Sequence, residues 1–226
     1  RSEPWRISAS TISFFTLLIV RTGWQVHSGK RPEAYWTRIQ GRPIRTRGQP
    51  VRIALHLWLH LGVGALWVLN GVAFYVLLFS TGQWARIIPT RWDVFPNAIS
   101  AGVQYVSLDW PTENGWINYN GLQLLTYFVT VFIAAPLAIA TGLRMAPGLA
   151  NWWRRYEKTY PVQVARAIHY PVFIYFIAFV IVHVFLVLAT GALRNLNHMY
   201  GNSDTVSWVG FGFFVGSLVL MALAWF

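Results

Sequence analysis

The sequence predicts an all-α integral membrane helix bundle, and three observations lead there. Five apolar segments have the length a spanning helix needs: Ile7–Val26, Ile53–Ser80, Leu122–Leu143, Ala167–Thr190 and Val206 to the last residue, Phe226. Only 11% of the 226 residues are charged, against 55% hydrophobic. A soluble domain carries about 25% charge. Nowhere is strand-like alternation sustained, and no internal repeat stands out. The whole chain, 1–226, is expected to form a single transmembrane domain.

Taken in order, the first segment is interrupted by Arg21, close enough to its end for the side chain to reach the interface. The connection His27–Arg52 holds seven Lys or Arg and one Glu, and its "KRPEAYW" and "GRPIRTRGQP" read as turns. After the second segment, Thr81–Gly121 is long and nearly balanced in charge. Its "NAISAGVQYVSL" is expected to form a short amphipathic helix at the interface. The third and fourth segments are joined by the basic Arg144–Arg166, and the fourth and fifth by the short polar Gly191–Thr205. Basic first and third connections belong in the cytoplasm by the positive-inside rule, which puts the first residue outside. The chain opens on Arg1 and ends within an apolar run, so both ends are expected to continue.

Several function classes fall away. Without cysteine there is no disulfide, iron–sulfur cluster, thiolate metal site or covalent haem attachment. The net charge of +11 comes from the connections, and no helix carries a basic stripe, so no nucleic-acid partner is expected. No apolar segment contains Asp or Glu, and no broken-helix repeat is present, which disfavours an ion or solute transporter.

Histidine is the ionisable residue that the apolar segments do contain. His169 and His183 lie fourteen residues apart in the fourth segment, about 21 Å along a helix and close to one face. With segments alternating in direction, His60 is level with His169. His56 is one turn further out, and His27 ends the first segment on the same side. His183 lies toward the opposite face, with His198 just beyond it. An imidazole in hydrocarbon needs a partner. Two of them facing across a bundle suit haem iron with bis-histidine ligation, because a bundle core supplies the apolar slot. Zinc would ask for further Cys or carboxylate ligands. The plainer reading is that these histidines bond to carbonyls or headgroups. His60 and His169 are the first choice as ligands, then His183, with His56 and His27 behind.

The residues resemble a known family: the cytochrome b membrane subunits of the bacterial cytochrome b561, formate dehydrogenase and nickel–iron hydrogenase group. The branch it looks most like accompanies molybdopterin oxidoreductases in actinobacteria. The resemblance covers nearly the whole chain. It rests on the His169/His183 pair, "HLGVGALWVLNG" with His60 and Asn70-Gly71, "YNGLQLLTY" and "TGLRM" bounding the third segment, and "TGALRNLNHMYG" after the fourth. It implies a four-helix haem-binding core plus a fifth transmembrane helix in the bacterial inner membrane. It also implies one haem b held by His60 and His169. A second haem would use His183 and a histidine early in the first helix, where Ala9 stands here. A menaquinone or other quinone site is implied near Asn120, Gln123 and His183. A cytoplasmic N-terminus is implied too, opposite to the charge bias.

The expected function is therefore an electron-transfer subunit between an oxidoreductase partner, of molybdopterin or iron–sulfur type, and quinone in the bilayer, with no substrate chemistry of its own. The competing class is a haem-free membrane anchor or assembly subunit. Arg52 and Arg166, each within about a turn of a proposed ligand, are the candidates to meet haem propionates. His183 has three outcomes: a slot closed by side chains such as Phe14 and Phe15, a haem ligated from elsewhere, for example by His198, or a quinone pocket. An unsatisfied buried imidazole costs on the order of 1–3 kcal/mol. A ligand is therefore expected, with a second haem ahead of quinone alone.

Overall fold

A computed structural model describes residues 4–29, 35–37, 52–110, 119–149, 153–201, 203 and 205–225; side chains are described from residue 15 onward, apart from those of 35–37, 221, 224 and 225. Most of the basic connection His27–Arg52, and the side chains of Ala9 and Phe14, lie outside the described residues. The helices are α1 (Pro4–His27), α2 (Leu55–Ser80), α3 (Val94–Val106), α4 (Gly121–Phe128), α5 (Ala135–Met145), α6 (Val162–Ala189), α7 (Ala192–Gly201) and α8 (Trp208–Trp225). A π-helical stretch, Val129–Ala134, joins α4 to α5.

Three of the expected spans are long and apolar enough to cross a bilayer: α2 with 26 residues, Gly121–Met145 with 25 and α6 with 28. At 1.5 Å per residue each exceeds a hydrocarbon layer of ~30 Å. The first and fifth expected spans correspond to α1 and to the 18-residue α8. Prolines are accommodated locally. Pro136, which has no N–H to give, sits in the first turn of α5, directly after the wider π turns. Pro171 lies within α6, which continues through it.

Three boundaries differ from the sequence expectation. Ile53 and Ala54 are not helical: β2 (Arg52–Ala54) pairs antiparallel with β1 (Tyr35–Thr37), Ile53 opposite Trp36. The strand partner satisfies backbone groups that a first helical turn would leave open. α6 begins at Val162, five residues before the apolar run, because Gln163 and Arg166 sit on its exposed side. Hydropathy excludes such residues; helix geometry does not. The polar stretch Gly191–Thr205 contains α7. Gly191, at φ 127°, breaks the chain direction in a region that favours glycine. Asn195 then donates back through Nδ2 to the Val187 carbonyl at 2.9 Å and to Thr190 Oγ1 at 2.9 Å.

The chain forms two compact units. The first comprises Arg1–Phe14, Val72–Thr130 and Ala178–Phe226. In it α3 buries Val94, Ala98 and Ala101 and exposes Phe95, Ile99, Val103 and Val106, so both faces are apolar. Buried Asn197, in the middle of α7, holds the turn into α8: its Nδ2 donates to the Thr205 carbonyl at 2.9 Å, and its Oδ1 accepts from Ser207 Oγ at 2.9 Å. The second unit comprises Phe15–Gly71 and Val131–Ile177. Its core is Ala134, Val172 and Phe176, with Trp67, Ile168 and Tyr175 packed against it. Trp67 meets Phe176 edge-on at 6.2 Å and donates to Thr16 Oγ1 at 3.0 Å.

Large side chains such as Leu66, Leu69, Val76 and Phe79 on α2 are exposed, whereas Thr22, Thr141, Arg144 and Asn197 are buried. That is the reverse of a water-soluble core and suits a lipid surround.

Gly121 is the tightest backbone approach in the packing of α3 on α4. A Cβ there would lie 2.6 Å from both the Ala98 nitrogen and the Val94 oxygen, backbone atoms that cannot step aside. Gly121→Ala is expected to cost about 1–3 kcal/mol, as overpacking does. Gly102→Ala, in the facing helix α3 with open space around it, should be neutral or slightly stabilising. Thermal unfolding in detergent compares the two, and equal midpoints would refute the close-approach account.

Candidate functional site

The second unit brings His60 and His169 into one arrangement built twice. His60, on the first turns of α2, has its Nδ1 3.0 Å from Thr22 Oγ1 on α1. His169, on α6, has its Nδ1 2.7 Å from Thr141 Oγ1 on α5. Both threonines are buried. Their hydroxyls also lie against carbonyls of their own helices: Thr22 Oγ1 is 2.9 Å from the Leu18 oxygen, and Thr141 Oγ1 is 2.5 Å from the Leu137 oxygen. A glycine follows each threonine and lies beside the same ring. A Cβ on Gly23 would sit 3.5 Å from His60 Cε1, and one on Gly142 3.7 Å from His169 Cε1.

This donor set fits a b-type haem. Nδ1 of each ring is engaged by a hydroxyl, so Nε2 is the nitrogen left to face a metal. Among the described residues no three His, Cys, Asp or Glu side chains come together. The walls are apolar and aromatic: Phe173 packs where Gly23 leaves room, and Val172 and Phe176 continue inward on α6. His56, one turn before His60, is half-buried, and neither threonine bonds to it. His27 stacks on Tyr170, centroids 4.6 Å apart. Arg52 and Arg166 are both exposed.

The sequence reading took Thr141 only as part of the family-like "TGLRM" and gave neither threonine a role. Mid-helix Thr is usually filler that bonds its own backbone. The dipeptide Thr-Gly marks both, as Thr22-Gly23 and Thr141-Gly142, but it also occurs at Thr81-Gly82 and Thr190-Gly191, so it is a weak signal by itself. Arg144 was also missed. It is buried, forms an ion pair with Glu157 and donates through Nε to the Tyr160 carbonyl at 2.7 Å. The end of α5 is thereby tied to the segment that leads into α6, and with it the register of Thr141 against His169.

The first unit holds His183 in an aromatic setting. Phe179 stacks on it at 5.3 Å and 11°, and Tyr127 meets it edge-on at 6.2 Å. Tyr119 packs against Tyr127 at 5.1 Å, and the Arg86 guanidinium lies 5.1 Å over Tyr119. Asn120 and Gln123 form a capping box at the start of α4: Asn120 Oδ1 accepts from the Gln123 N–H at 2.9 Å, and Gln123 Oε1 accepts from the Asn120 N–H at 3.1 Å. Asn120 Nδ2 donates to Tyr105 Oη at 3.2 Å. Capping is therefore a role both amides have; it leaves the Gln123 NH2 outside the box. His198 lies half-buried on α7.

A family model described as prokaryotic cytochrome b561 matches residues 8–202, a stretch that includes all six histidines and both Thr22-Gly23 and Thr141-Gly142. No curated protein and no solved structure matches the chain. With most of the chain inside the match, three membrane-length helices and a paired imidazole site, the chain belongs to the prokaryotic cytochrome b561 family, multi-pass membrane cytochromes of b type that carry electrons.

Proposed function

We propose that the chain is the membrane subunit of a larger oxidoreductase complex and passes electrons between that partner and quinone, with one haem b held by His60 and His169. The observation that carries the reading is the matched pair of imidazoles, each with Nδ1 held by a buried threonine and Nε2 left for iron. When bound, haem supplies a one-electron iron couple. His60 and His169 would hold the iron through Nε2, and the apolar side chains around them would keep water out. Arg166, three residues before His169 on α6, would be placed to balance a propionate, whereas Arg52 lies on β2, eight residues before His60. The molybdopterin or iron–sulfur character of the partner is supported by the sequence resemblance.

For His183 the proposal is a quinone site rather than a second bis-histidine haem. Its sequence-expected partner position is Ala9, which offers no ligand. An imidazole, the Gln123 NH2 and neighbouring phenols are hydrogen-bonding groups suited to quinone carbonyls, and Phe179 and Tyr127 supply ring-stacking walls.

His60→Ala and His169→Ala should each abolish the reduced-minus-oxidised haem spectrum, while His56→Ala leaves it intact. A spectrum that survives both ligand changes refutes the assignment, and a purified protein with no haem would favour the anchor reading. Haem per polypeptide should be near one; a ratio near two replaces the quinone reading of His183 with a second haem. Gln123→Glu keeps an acceptor for the Asn120 N–H but removes the amide donor. It should raise the KM for a quinol about tenfold, the worth of one such hydrogen bond, with no change in unfolding temperature. An unchanged KM excludes Gln123 from the site.

A further inference from the structure

We infer that Thr22 and Thr141 are positioning residues for the two haem ligands, each accepting the Nδ1 proton of its histidine and thereby fixing both the tautomer and the rotation of the ring. The inference rests on His60 and His169 being those ligands.

The direction of the hydrogen bonds follows from proton counting. A hydroxyl has one proton. Thr141 Oγ1 is 2.5 Å from the Leu137 oxygen and 2.7 Å from His169 Nδ1. A carbonyl cannot donate, so if the hydroxyl gave its proton to Nδ1, two oxygens would face each other at 2.5 Å with no hydrogen between them. The proton therefore goes to Leu137, and Nδ1–H donates to Thr141. Thr22 repeats the geometry with contacts of 2.9 Å to the Leu18 oxygen and 3.0 Å to His60 Nδ1. Ser or Thr bonding back to its own helix is ordinary. A ring nitrogen from a different helix on the same hydroxyl, twice in one unit, is not.

Two consequences follow. A hydroxyl that is itself donating to a carbonyl is a better acceptor than a free one, so both imidazoles gain some electron density without a carboxylate nearby. Both ligands also receive the same kind of acceptor, so neither is more basic by design. Gly23 adds a steric element to one side only. Its Cβ would be 3.3 Å from Phe173 and 3.5 Å from His60 Cε1, whereas a Cβ on Gly142 makes an ordinary 3.7 Å contact with His169.

The test is Thr22→Val and Thr141→Val in the full chain, with Ser at each position as the conservative variant. Haem content by pyridine haemochrome, midpoint potential and the low-spin electron paramagnetic resonance signal are measured together. We expect each Val variant to shift the potential upward, because a less basic ligand stabilises ferric iron less, and to shift or broaden the low-spin signal as the ring loses its fixed rotation. Ser should restore both. Gly142→Ala should leave the signal unchanged and Gly23→Ala should move it. Val variants with wild-type potential and signal overturn the inference, as does any haem loss that Ser fails to rescue. If the wild-type protein binds no haem through His60 and His169, it is the ligand assignment itself that falls, a result visible in the haem content alone.

Discussion

A threonine hydroxyl has one proton to give, and at Thr22 and Thr141 the helix carbonyl one turn back takes it. That constraint reaches outward through the second unit. It makes each hydroxyl an acceptor, makes each imidazole a donor at Nδ1, and leaves the lone pair of each ring, in His60 and His169, on Nε2. Inside hydrocarbon no water stands by to correct a mismatch, so a tautomer error would leave two unsatisfied polar groups at once. Helix packing must then deliver α1 to α2 and α5 to α6 at hydrogen-bond distance. The Trp67–Thr16 bond and the Arg144 latch onto Glu157 and Tyr160 are the contacts that hold those elements.

The same economy of polar groups shapes the first unit. Three of its turns are closed by a side-chain amide: Asn195 beneath the end of α6, Asn197 in α7 before the turn into α8, and Asn120 with Gln123 at the start of α4. Amides suit this work because one side chain can donate and accept together. Glycine permits the accompanying close approach. A Cβ at Gly210 would overlap the Leu196 carbonyl, and one at Gly121 would meet the backbone of α3.

Hydropathy made the spans legible because length and apolar content are one-dimensional properties. The helices α2, Gly121–Met145 and α6 lie where the apolar runs are. It misplaced Ile53, Ala54 and the first turn of α6, because helix and strand boundaries depend on backbone partners that hydropathy does not register. It also hid α7, whose Asn, His and Arg look like loop composition. The ligand candidates were legible because an ionisable residue in an apolar run is rare. Thr22 and Thr141 were not, because their importance lies in a contact between helices 38 and 28 residues apart in sequence. For Asn120 the capping alternative is what the geometry displays: the box uses Oδ1 of Asn120 and Oε1 of Gln123, and the Asn120 NH2 goes to Tyr105.

The two units treat a buried imidazole in opposite ways, and the difference bears on function. His60 and His169 have a hydroxyl at Nδ1, so each ring is oriented before any ligand arrives, and little rotational freedom is lost on binding. His183 is instead flanked by ring faces and edges, from Phe179 and Tyr127, contacts that restrain its plane without selecting a tautomer. A ring that keeps either tautomer can donate to a carbonyl oxygen or accept from a hydroxyl. Oxidised quinone presents the first of these groups and quinol the second. An imidazole fixed as an Nδ1–H donor, with Nε2 as its lone-pair face, suits a permanent metal bond. One free to exchange donor and acceptor suits a ligand that changes protonation with each turnover.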